Sequence, residues 1–180
     1  MLKRDKNKRL SSGSGFTLIE LLVSVLIIGL ISTIFMVNYH NTNKRSELKV
    51  ATQKLASDIR LAQNYSLGSK TYDGVITPSG GWGVYFSLSS PSSYIIFADK
   101  NGDHLYNAGE VIETKTLPAG VTISALSPAN PAAIVFFPPD PVTYINNDLN
   151  NKTAQIELIE SINNSRAAVT VNFFGLIDVN

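Results

Sequence analysis

Hydrophobic and polar positions divide the chain into three textures. Residues 16–37 form an apolar run of 22 residues broken by one charge, Glu20. As helix this run spans about 33 Å at 1.5 Å per residue, enough for a bilayer core of about 30 Å. Residues 38–67 are polar but periodic. Leu48, Ala51, Leu55, Ile59 and Ala62 recur at three- and four-residue spacing, while Lys49, Lys54, Asp58 and Arg60 lie mostly elsewhere on the wheel. This predicts an amphipathic continuation of the same helix, with one face ready to pack on a sheet. Beyond Gly68 the period shortens to that of strands, with β-rich runs at 82–86, 94–97, 111–115, 121–123, 134–137, 156–159 and 169–173. Gly80-Gly81, Pro91, Asn101-Gly102, Pro118, Pro128, Pro138-Pro139 and Gly175 supply the turns between them, and 124–131 reads as a connecting loop. The expected fold is α+β: a long N-terminal transmembrane helix packed on a globular, antiparallel, sandwich-like head at 68–180.

Charge gives the helix a direction. Lys3, Arg4, Lys6, Lys8 and Arg9 precede the apolar run against Asp5 alone. A basic cluster on that side stays cytoplasmic, so the rest of the chain is carried outward. The five basic residues are a third of the chain's fifteen, and without residues 1–15 the net charge turns from +1 to −3. A secretory signal would end its apolar core at a small-residue cleavage site; here the run passes straight into a polar helix, so an anchor is retained. With no cysteine, no disulfide can brace the head, and packing must hold it. Glu20 is the anomaly, because an ionised carboxylate in a membrane helix costs about 2.5–3.5 kcal/mol.

The segment Lys8-Arg9-Leu10-Ser11-Ser12-Gly13-Ser14-Gly15, followed by Phe16-Thr17-Leu18-Ile19-Glu20-Leu21-Leu22-Val23, resembles the class III signal of type IV pilins and pseudopilins. The resemblance implies cleavage after Gly15 by a prepilin peptidase, removing leader 1–15, and N-methylation of the new terminus, Phe16. It also implies that Glu20 meets the terminal amine of a neighbouring subunit during assembly. Gly81-Trp82-Gly83-Val84, Phe97-Ala98-Asp99-Lys100-Asn101-Gly102-Asp103, Leu117-Pro118-Ala119-Gly120-Val121 and Phe137-Pro138-Pro139 are similar to the GspH/FimT group of minor pseudopilins and pilins. Membership would make the chain a minor structural subunit of a type II secretion pseudopilus or type IV pilus. Its partners would be other pilin-type subunits, the peptidase and an inner-membrane assembly platform, with the head outside the cytoplasm.

Two alternatives share the same anchor: a DNA- or substrate-binding tip pilin, and a signal-anchored β-sandwich binding domain. Arg166 is the only basic residue after Lys152, and Pro139-Asp140-Pro141 stands where family members often have a glycine. Both departures, with the acidic balance, argue against nucleic acid. Catalysis has no constellation to support it: neither His40 nor His104 has an evident nucleophile or paired acid near it in sequence, and no thiol or phosphate-cradling loop is present. No cofactor is required for a structural role. The most chemical-looking stretch is 99–110, where Asp99, Asn101, Asp103, Asn107 and Glu110 fall in the ligand order of a calcium loop, with the Leu105 carbonyl between them. Ca²⁺ ligation is therefore an expectation, although His104 occupies the position of the usual glycine and the flanks read as strands. The alternative is a polar hairpin whose Asp, Asn and Gly residues make the turn.

Overall fold

The computed structural model describes residues 15–74, 76–139, 142–150 and 152–180, without the side chains of 37–43. The basic leader up to Ser14, the His40 side chain and the Asp140-Pro141 pair lie outside the described residues. One helix, α1, runs over Leu18–Leu67. The chain divides into two compact units, Met1–His40 and Asn41–Asn180.

In the first unit Thr17 starts the helix, its hydroxyl accepting from the Glu20 amide at 3.3 Å, as an N-cap side chain does. The hydroxyls of Ser24, Ser32 and Thr33 donate to carbonyls four residues back, so their polar atoms are satisfied within the helix. The segment Leu18–Met36 is long and apolar enough to cross a membrane, and none of it is buried against this chain.

Among the described residues the second unit holds the buried hydrophobic core. From Leu48 onward α1 buries Leu48, Ala51, Leu55, Ala56, Ile59 and Ala62 along one stripe, each at most 4 % exposed. Among the described residues nine strands follow: β1 Gly81–Phe86, β2 Ser93–Asp99, β3 Val111–Thr116, β4 Val121–Ser127, β5 Ala132–Phe137, β6 Val142–Ile145, β7 Thr153–Glu160, β8 Arg166–Asn172 and β9 Ile177–Val179. They form two antiparallel sheets, one of order β3-β2-β1-β5-β6 and one of order β4-β7-β8-β9. The helix stripe joins a single core cluster with Trp82, Val84, Phe86 and Ile134 of the first sheet and Ile123, Ile156, Leu158 and Val169 of the second. Hydrogen bonds repeat the same two-sided attachment. Ser66 donates to the Phe136 carbonyl on the first sheet, while Arg60 and Gln63 donate to the carbonyls of Ile177 and Gly175 on the second, each at 3.0 Å.

Three expectations need correction. Residues 124–127 are not loop: β4 continues to Ser127 through a register shift between Ile123 and Ala125, which absorbs the break in alternation. The short strands β6 and β9 were absent from the expected set, because runs of four and three residues carry too little period-two signal to stand out. Asp58 belongs to the buried face, at 6 % exposure. It is tolerated there because the Tyr94 hydroxyl donates to it at 2.7 Å and Lys54 Nζ lies 3.7 Å away. Burial, reinforced by the bond to Asp58, raises the Tyr94 pKa far above its ordinary value, so the hydroxyl stays a donor.

Two substitutions separate these contributions. Leu55→Ala leaves a cavity in the helix stripe and should lower unfolding free energy by about 2–5 kcal/mol. Tyr94→Phe keeps the ring but leaves the Asp58 carboxylate short of a donor, at a cost of about 1–3 kcal/mol. Urea denaturation of the full chain in micelles, followed by tryptophan fluorescence from Trp82, reads both.

Candidate functional site

Two regions carry the residues that sequence singles out. At the N-terminal junction Gly15 and Phe16 precede the helix, and Phe16 is 78 % exposed. Glu20 lies in the first turn of α1, where a carboxylate is favoured by the helix dipole. Its side chain is exposed, and no ion pair reaches it among the described residues. Gly15, Phe16 and Glu20 are thus all exposed.

The second region is the β2–β3 connection, residues 99–110. Asp99, at the end of β2, is fully buried and accepts from the amides of Gly102 at 2.7 Å and His104 at 2.8 Å. Glu110, 4 % exposed, accepts from the amides of Lys100 at 2.9 Å and Asn107 at 2.8 Å. The two acids therefore clamp the loop from both ends through its own main chain. Between them Asn101 Nδ2 and Asn107 Nδ2 donate to Asp103 Oδ2 at 3.0 and 2.6 Å, and the Leu105 amide donates to Asp103 Oδ1 at 2.9 Å. Gly80 must be glycine for this arrangement, since a Cβ there would fall inside the Asp99 carboxylate.

Asn101, Asp103 and Asn107 are thus brought together, while Asp99 and Glu110 each spend both carboxylate oxygens on amides. Among the described residues no three His, Asp or Glu side chains are grouped to hold a metal ion. His104 sits at φ +56°, the left-handed conformation that glycine usually takes at this loop position. Contacts offset the strain: its ring stacks on Tyr144 at 3.7 Å and meets Phe137 edge-on at 5.5 Å. Its Nδ1 lies 3.4 Å from Asp99 Oδ2. Tyr106 leans on Tyr85 at 4.4 Å and on Phe97 at 5.5 Å. The loop is a strap over the outer face of the first sheet, covering a small cluster of Phe97, Ala133 and Val135. Sequence spacing gave no sign of this aromatic underside, because Tyr144 comes from the distant and very short β6.

Comparison with known families finds two matches. The prokaryotic N-terminal methylation motif matches residues 11–36, and the family described as type II transport protein GspH matches residues 51–175. No curated protein and no solved structure matches the chain.

The strap makes two predictions. Burial of Asp103 pushes its pKa up, but the bonds from Leu105, Asn107 and Asn101 outweigh it and hold the value below the ordinary carboxylate value of about 3.9. Ordering of the strap by Asp103 is then complete above the unfolded-state pKa and lost as pH falls through the lower folded one. Amide NMR shifts of Leu105 should titrate with that depressed midpoint, and Asp103→Asn should abolish the titration. Because the carboxylates already have main-chain partners, Ca²⁺ should not be needed for order. A rise in melting temperature on Ca²⁺ addition, absent in Asp103→Ala, would instead establish the metal site expected from spacing.

Proposed function

We propose, for a chain that belongs to the type II transport protein GspH family and carries the prokaryotic N-terminal methylation motif, the role of a minor pilin-type subunit in a secretion pseudopilus or type IV pilus. In this reading the peptidase cuts after Gly15, Phe16 becomes the methylated terminus, and the mature chain remains anchored in the inner membrane with its head outside the cytoplasm. No cofactor or enzymatic activity is invoked.

The observation that carries the reading is the unsatisfied helix. Leu18–Met36 buries nothing against its own chain, and side chains such as Leu18, Ile28 and Phe35 are exposed at 81, 63 and 70 %. Such a surface needs either lipid or other helices. Glu20 argues for a destination among helices, because a carboxylate in hydrocarbon is stable only when paired or hydrogen-bonded. The terminal amine of Phe16 on an adjoining subunit offers the opposite charge four residues from the acid in sequence. Glu20 then acts as a register: helices stack at the offset that joins amine to carboxylate.

Glu20→Leu separates anchoring from assembly. It makes the span more apolar, so membrane insertion and removal of the leader should proceed normally, while incorporation into sheared filaments should fall at least about tenfold, the loss expected for 1.4 kcal/mol or more of registry energy. Immunoblots of membrane and filament fractions read both. Normal incorporation of this variant would remove Glu20 from the assembly mechanism.

A further inference from the structure

The outer face of the five-stranded sheet holds, beside the strap, a cleft of about 480 Å³ at the β1–β2 turn. Strand register builds its floor. Tyr85 on β1 pairs with Ile95 on β2, which pairs with Thr114 on β3, giving one row of side chains across three strands. Ser87, just past the end of β1, and Ser93 on β2 lie two residues from Tyr85 and Ile95 and line the same cleft, and Ser90 of the turn closes one end. Five serines stand in the seven residues 87–93. Among the described residues no charged side chain lines the cleft.

We propose that this cleft binds a neutral saccharide. The chemistry of the walls selects the class. Hydroxyl groups rotate to donate or accept, matching the alternating donors and acceptors of a sugar ring. Among the described residues the hydroxyls of Ser90, Ser93 and Thr114 make no hydrogen bond within the protein, so they are available. The Tyr85 ring, half-buried and backed by Tyr106, supplies a flat apolar wall for the C–H face of a pyranose, and Ile95 extends it. The volume falls in the range of about 300–1,000 Å³ that small-molecule clefts occupy. A phosphodiester would find no cation here. An extended peptide would find β1 and β2 already paired on both sides, β1 by β2 and β5, β2 by β1 and β3. This site is independent of the filament reading.

Saturation-transfer NMR tests it on the full chain, held in micelles of a detergent without a sugar headgroup, with chitotriose and maltotriose at millimolar concentration as probes. Saturation should reach the ring protons of at least one sugar. Tyr85→Ala and Ser90→Asp should each weaken binding by about tenfold or more, the latter by placing a charge where a neutral hydroxyl stood. Ser90 is exposed on a turn, so its variant decides the matter if loss of the Tyr85–Tyr106 contact lowers the melting temperature of the other. Absence of transfer to both sugars, or transfer equal to wild type in Ser90→Asp, overturns the proposal.

Discussion

Burial of one helical stripe, Leu48 through Ala62, between two sheets is the interaction on which the rest of the head depends. Neither sheet is closed, and neither has a second layer of its own; each covers its inner face with the same helix and with the other sheet. Fully burying a leucine or isoleucine side chain contributes about 1.5–3 kcal/mol, so Leu55 and Ile59 alone represent a sizeable part of a net stability of about 5–15 kcal/mol. With no cysteine to cross-link the chain, that packing has no covalent substitute. The polar ties from Ser66, Arg60 and Gln63 of the helix to the sheets, and from Tyr94 to Asp58 of the helix, add direction to it, fixing which sheet meets which turn.

The same helix faces two different solvents along its length. Its second half is half-buried in protein, and its first half is apolar with no burial at all in its own chain. A sequence that was merely an anchor could have satisfied the bilayer without Glu20. On the proposed reading the acid gives the uncovered half a preference for a particular neighbour over lipid in general, since an unpaired carboxylate is costly in either surrounding and relieved by a matching cation.

Much of this was legible in the residues, and for physical reasons. The 22-residue apolar run is a local pattern sufficient by itself, while the three-and-four spacing of Leu48, Ala51, Leu55, Ile59 and Ala62 and seven of the nine described strands are local patterns that tertiary contacts reinforced. Part of what escaped was set by partners far away in sequence. Asp58 reads as a surface residue until Tyr94, 36 positions on, supplies its hydrogen bond. Spacing gives the 99–110 stretch the order of a ligand series but does not say which of its carboxylates also accept main-chain amides. Only the fold shows Asp99 and Glu110 turned onto the main chain and His104 stacked on Tyr144. The hydroxyl cleft was equally hidden, since its row of Tyr85, Ile95 and Thr114 exists only once three strands are in register.

The central claim is that this chain is made as a precursor and works as a subunit whose first residue is Phe16. Mass spectrometry of the N-terminal peptide, taken from the protein purified out of its native membranes, tests it most directly. The account predicts a terminus at Phe16 carrying one added methyl group. A peptide beginning at Met1, or at Leu2 after removal of the initiator, would show an uncleaved anchor and contradict it.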